Sequence, residues 1–270
     1  MKDCNYVLSV ASPVFFEIPK NENEAMLPAV EGIIRVLKAA RNANVKRVVM
    51  TSNFGAVGFS KKDSNHVTTE ADWTDPNEKG LSVYEKSKLL AERAAWDFIQ
   101  REGGNLEFTT INPVAILGSS LSAHISGSFG ILQHLLDGTM KAVPNVSLNI
   151  VDVRDVADLH IRAMTNPNAN GQRFIASADG QISMPEIAAL LKNKQPDIAK
   201  KVSTKTLPSW VIYLAALFNK QAKEASLLLR MNRNVSNTKA KKVLGGEPIA
   251  NNEEAILDSL NSMIKFGIIK

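Results

Sequence analysis

Tyr84 and Lys88 are the two residues of this 270-residue chain whose types and spacing could do chemistry together. Four positions apart in a helix, a phenol and an ammonium share one face and act on the same small volume. A phenol titrates near pH 10 in water, so it donates a proton usefully at neutrality only where a nearby positive charge favours its anion. Lys88 can supply that charge. The spacing also arises by chance among 3 tyrosines and many lysines, so the surrounding sequence must decide its meaning. Ser82 with Glu85 three positions on reads as a capping box, which starts the helix just before Tyr84. Ala91 and Ala95 continue the same strip with small side chains, letting the helix lie close against a sheet.

The elements that must position this pair follow from hydrophobic period. Residues 6–11 (YVLSVA) are a short apolar run closed by Ser12-Pro13, as in a buried parallel strand ending at a loop. Residues 24–42 have a helical period, and 46–52 (KRVVMTS) form a second buried strand. Strand, helix, strand with that crossover length predicts a right-handed parallel unit. A long polar connection over 61–80 precedes the Tyr84 helix, and a loop of that length inside a domain is usually functional. The helix runs to about residue 101, where Gly103-Gly104 stops it before a strand at 106–112. A small-residue loop at 119–130, a helix at 129–136, an extended stretch at 149–153, a helix to about 164 and a strand at 173–178 come next. The remainder reads as helices at 184–193, 210–218, 223–231 and 253–266.

Composition narrows the function classes. Hydrophobic residues at 44% and charged residues at 22% are ordinary for a globular domain, and no apolar run reaches membrane-spanning length. The first residues lack a signal-peptide layout, so a cytoplasmic location is expected. Cys4 is the single cysteine and the 4 histidines are scattered, which predicts neither an internal disulfide nor a metal site. The net charge of +5 includes one dense basic cluster, Lys239, Lys241 and Lys242, with no interleaved aromatics; it reads as a solvated helix face rather than a nucleic-acid surface.

Six segments in this order and spacing resemble the extended short-chain dehydrogenases of the NAD-dependent epimerase/dehydratase superfamily, in the dihydroflavonol reductase-like branch of aldehyde and ketone reductases. They are YVLSVASP (6–13), KRVVMTSNFGAVG (46–58), ADWTDPN (71–77), YEKSK (84–88), INPVAILG (111–118) and VDVRDVADLH (151–160). The resemblance implies an α/β fold. A partial Rossmann doubly wound parallel sheet would occupy 1–118 and 149–178, and a smaller, mainly helical substrate lobe 119–148 and 179–270. It implies reduction of a small-molecule carbonyl with NADP or NAD. Tyr84 would be the proton donor and Lys88 its partner and ribose ligand. Ala11, Ser12, Pro13 and Thr51 would line the cofactor, Pro113 and Ile116 would flank the nicotinamide, and Val14 and Phe54 would wall the substrate. Core packing explains Ala11 and Ile116 equally well.

The sequence departs from the family pattern in two places. Relatives begin with a strand, a GxxGxxG turn and a helix that hold the cofactor pyrophosphate. No such glycine pattern occurs here, and the first strands would amount to roughly 60 to 80 further residues. The expectation is a chain that starts inside its family, with impaired cofactor binding and strand 6–11 left as an exposed edge through which copies self-associate. The second departure is at the end of strand 46–52, where the family carries Thr-Ser-Ser and the later serine bonds the substrate oxygen. Ser52, which the resemblance counts with Asn53 among the catalytic residues, is followed here by that asparagine, whose amide can donate to an oxyanion but cannot relay a proton. Asn53 could equally serve only to end the strand. A sugar-nucleotide epimerase or dehydratase of the same fold is the second reading, with Arg230, Arg233 and Lys239 as its available cations. A non-catalytic remnant is the third.

Overall fold

The computed structural model describes residues 1–13 and 22–269. Four parallel strands form the main sheet in the order β1-β2-β3-β8: β1 (Tyr6–Ser9), β2 (Arg47–Thr51), β3 (Glu107–Pro113) and β8 (Gln172–Ala176). Helix α1 (Glu22–Asn42) connects β1 to β2, and α2 (Val83–Glu102) connects β2 to β3. Both lie on one face, where Ile33, Leu37, Ala91, Ala95 and Phe98 close over Val48 and Phe108. Ala91 and Ala95 are buried as the strip requires. On the opposite face α4 (Val153–Thr165) and a π-helical turn at Ala240–Leu244 pack on Val49, Ile111 and Phe174.

Between β3 and β8 the chain builds a second body. Strand β4 (Ala115–Leu117) pairs with β7 (Ile150–Asp152), and α3 (Phe129–Leu136), β5 (Val143–Pro144) and β6 (Ser147–Leu148) lie between them in sequence. After β8 come β9 (Ile182–Ser183), α5 (Met184–Lys194), β10 (Thr206–Leu207), α6 (Ser209–Ala215), α7 (Lys220–Arg230) and α8 (Asn252–Lys265). Leu132, Leu135, Ile150, Ile187, Leu191, Ile256 and Leu260 form the core of this part. Strands of two or three residues are too short to show a period, so β4, β5, β6, β9 and β10 were not foreseeable as separate elements.

Three local devices fix the frame. Ser82 Oγ accepts from the Glu85 N–H at 3.4 Å and caps α2 where expected. Arg47, 1% exposed, donates through Nη1 to the carbonyls of Ala163 and Asn166 at 2.6 Å each, and through Nε to Glu107 Oε2 at 2.7 Å. A cation thereby closes the carbonyl end of α4 against β2 and β3. Gly118 has φ +110°, and a Cβ there would lie 2.6 Å from Asp152 Oδ2, so this turn needs glycine. Its N–H donates to Ser259 Oγ at 2.7 Å, and the Ser120 N–H to Ser262 Oγ at 2.9 Å, which ties the small-residue loop to α8. Lys241 of the basic cluster is paired with Asp179 at 2.9 Å and Glu247 at 2.7 Å.

Candidate active site

Tyr84 and Lys88 stand on the first turns of α2, and Asn53 on the turn that leaves β2. Asn53 Oδ1 accepts from the Gly55 N–H at 2.5 Å, which caps the short turn Phe54–Ala56. The Asn53 side chain acts on the Tyr84 phenol in the direction that favours the phenolate. With Oδ1 held by Gly55, the amide N–H is the group of this side chain that can donate. Asn53 therefore ends the strand and influences the tyrosine's titration.

Electrostatics differ from the sequence-based expectation. Burial raises the Tyr84 phenol above its ordinary value, the Glu85 carboxylate adds to the rise, and Asn53 opposes it. Lys88 is 6% exposed, and its ammonium lies 5.4 Å from the centre of the Tyr84 ring, over the ring rather than at the hydroxyl. Desolvation pushes Lys88 itself down to about 8. Glu85, also withdrawn from water and near Glu224, is pushed up to about 7. Both groups titrate within reach of neutral pH.

Behind this pair a different kind of site closes the carboxyl ends of the strands. Glu92, one turn beyond Lys88 on the same strip, is fully buried. Its carboxylate accepts from Ser52 Oγ at 2.5 Å, Asn112 Nδ2 at 2.7 Å, Arg173 Nε at 2.7 Å, Thr110 Oγ1 at 3.1 Å and Trp96 Nε1 at 3.3 Å. Asn112 Nδ2 also donates to the Asn53 carbonyl at 3.3 Å. Arg173 stacks on Trp73 with 3.7 Å from guanidinium to ring centre, and its Nη1 donates to the Glu70 and Asp72 carbonyls at 2.7 Å each. The long 61–80 connection is therefore bolted across the sheet. Sequence reasoning missed Glu92. The available signal was a carboxylate at i+8 from Tyr84 on a strip otherwise made of small or apolar residues.

The remaining expected site residues fall into three groups. Ala11, Ser12, Pro13 and Thr51 do come together, with Ser9, Pro28, Gly32 and Met50, around a cleft of about 280 Å³ at the carboxyl ends of β1 and β2. A Cβ added to Gly32 meets nothing within 4 Å, so that wall stays open. The Thr51 hydroxyl itself bonds His160 Nε2 at 2.7 Å. Pro113 is buried opposite Ala176 at the end of β3, and Ile116 is half-buried opposite Val151 in β4, packed on the core. Two assignments are corrected. Ser52 is 4% exposed and its hydroxyl is committed to Glu92, so it is an anchor of the strand end rather than a group facing substrate. Phe54 is 3% exposed and packs beside Val49 and Ile111, with Phe59 at 6.3 Å, so it is core and not a substrate wall. Val14 lies outside the described residues.

The model of the 3-beta hydroxysteroid dehydrogenase/isomerase family matches residues 1–181. The chain belongs to this family. Anthocyanidin reductase ((2S)-flavan-3-ol-forming) of Vitis vinifera is 34% identical over 72% of the chain, and cinnamoyl-CoA reductase of Medicago truncatula is 32% identical over 73%. The chain spans about three fifths of the length of these curated relatives, 60% and 61%. The crystal structure of yeast methylglyoxal/isovaleraldehyde reductase complexed with NADPH superposes with a TM-score of 0.78 at 27% identity, covering 98% of the chain and 78% of that protein. The family member described here thus has the Rossmann-like α/β fold of the short-chain reductase branch, and no described helix is long and apolar enough to cross a membrane.

Proposed function

We propose that this protein reduces the carbonyl of a small molecule with NADPH or NADH, using Tyr84 as proton donor. The observation that carries the reading is the placement of a buried Lys88, its ammonium 5.4 Å from the centre of the Tyr84 ring, on the first turns of α2 beside the strand end that bears Asn53. Relatives named as reductases, one of them solved with NADPH, support it. The residues present suit part of the cofactor: the open cleft at the ends of β1 and β2 lies where a doubly wound sheet takes a dinucleotide. Ala11, Ser12, Pro13 and Thr51 would hold it there, with Lys88 on the ribose and Pro113 and Ile116 beside the nicotinamide. The bound nicotinamide supplies the hydride. Tyr84 gives its proton to the carbonyl oxygen, Asn53 donates a hydrogen bond as charge develops on that oxygen, and Lys88 stabilises the resulting phenolate. Residues 119–148 and 179–270 would cover the substrate.

Tyr84→Phe tests the assignment. With NADPH oxidation as readout on a panel of aldehydes and ketones, turnover falls at least ~100-fold while thermal stability is kept. Full activity in this variant would reject Tyr84 as the donor. Self-association is part of the same reading. Among the described residues β1 pairs on one side only, with Leu8 41% and Val10 63% exposed on an apolar stretch free of proline and lysine. Sedimentation at tens of micromolar would show dimers or larger species, and a stable monomer would remove this part of the reading.

A further inference from the structure

Two arginines, one buried and one exposed, show how this chain pairs a guanidinium. Arg47 is saturated by Glu107 and by the carbonyls at the end of α4. Arg154 offers Asp152 one edge, with Nε to Oδ1 at 2.8 Å and Nη2 to Oδ2 at 2.9 Å, the fork that grips both oxygens of one carboxylate. Arg233 departs from this pattern. Its Nε and Nη2, the same edge, are buried and have no hydrogen-bond partner among the described residues. Desolvation pushes Arg233 down to about 10, the direction of a cation that has lost water without gaining an acceptor. Its backbone is nonetheless held, because Asn149 Nδ2 donates to the Arg233 carbonyl at 3.1 Å and to the Gly180 carbonyl at 3.2 Å.

Arg233 lines a cleft of about 620 Å³ formed by Lys62 and Ser64 of the long connection, residues 145–147, Gly180, Gln181 and the end of α7. That volume suits a small organic ligand. Lys62 and Arg230 line it as well, and no aspartate or glutamate does. Lys62 is balanced by Glu78 at 2.8 Å, whereas among the described residues Arg230 makes only a side-chain bond to the Ser226 carbonyl at 3.2 Å. A concave wall with surplus positive charge and low-dielectric sides concentrates anions. An unpaired buried guanidinium is costly to the fold, and such a cost is repaid when an oxyanion takes the free edge.

We propose that this cleft binds the anionic group of a small organic molecule, a carboxylate or a phosphate ester, on the guanidinium of Arg233. Rotation about the side-chain bonds brings the Nε/Nη2 edge to the cleft while the tethered backbone stays in place. Two oxygens of the ligand then take the positions that Asp152 takes on Arg154. Asn53, Tyr84 and Lys88 do not line this cleft, so the inference does not depend on the reductase reading.

Isothermal titration of the whole chain with sodium malonate and, separately, with inorganic phosphate at constant ionic strength tests it. The expected result is saturable binding of at least one probe; malonate alone marks a carboxylate site and phosphate alone a phosphate site. Arg233→Lys keeps the charge without the fork and weakens binding about 10-fold, and Arg233→Met weakens it about 100-fold. Without ligand, Arg233→Met melts no lower than the parent chain, because the substitution removes an unpaired buried charge. The inference is overturned by the absence of saturable binding of either probe, by unchanged affinity in Arg233→Met, or by ligand-free Arg233→Met melting well below the parent, which would make the arginine a structural part.

Discussion

Two polar groups sit on one strip of α2, a turn apart, and they are treated in opposite ways. Glu92 is fully buried and surrounded by five donors, so its charge is compensated from several elements at once. Lys88 is almost as buried, has no carboxylate paired with it among the described residues, and is displaced toward neutrality by desolvation. The first arrangement holds strand ends in place. The second leaves a group able to exchange its proton near physiological pH, the property expected of acid–base machinery. Compensation makes a scaffold, and its absence leaves a group free to titrate near neutral pH.

The sharpest way to break the comparison is to remove the scaffold charge. Glu92→Ala leaves Arg173, Ser52 and Asn112 without their acceptor in a buried setting and is expected to cost about 3–5 kcal/mol, read by urea or thermal unfolding. A loss below about 1 kcal/mol would show that the cluster relaxes freely. The next largest effect is on the pH dependence of stability. Folded Lys88 titrates near 8 and unfolded lysine near 10.5, so between these values the unfolded chain holds a proton that the folded chain has released. Stability therefore rises with pH across that window, by up to about 3 kcal/mol from this residue. The parent chain minus Lys88→Met should show that slope in unfolding at stepped pH, and a flat difference would place Lys88 in water.

Asn53→Ala addresses the proposed reaction, besides removing the cap of the Phe54–Ala56 turn. Turnover should fall ~100-fold if the amide serves the developing oxyanion. The Tyr84 phenol should titrate still higher in an ultraviolet titration, since the Asn53 influence that favours its anion is gone. The smallest effect is Ser52→Ala, which removes one of five donors to Glu92: stability drops by ~1 kcal/mol and turnover stays within a few-fold. A large loss of turnover with intact stability would return Ser52 to the reacting group.

Much of the sheet could be read from the sequence because period and punctuation are local. The Ser82 cap, the α3 bounds and the alternation of strand and helix all depend on residues a few positions apart. The site was legible only in part. Tyr84 with Lys88 is a local spacing, whereas the partners of Glu92 lie 18, 20, 40 and 81 positions away at Thr110, Asn112, Ser52 and Arg173. No periodicity reports such contacts. The same limit explains Phe54, whose burial is decided by Val49, Ile111 and Phe59 meeting above it. It also explains the tyrosine, raised by burial with the Glu85 carboxylate adding to the rise.

The tie between the loop after β4 and α8 sets a timetable for folding. Gly118 and Ser120 find their hydroxyl acceptors 141 and 142 residues further along the chain. Closing so wide a loop is entropically slow, and during synthesis the partner residues have not yet been made. At ribosomal rates of about 5–20 residues per second, the segment that leaves the strand ends waits on the order of ten seconds before α8 can fasten it. A nascent chain arrested just before residue 259 should therefore remain open to protease at 118–128 while the β1–β3 unit resists, and protection of that loop should appear only as α8 emerges.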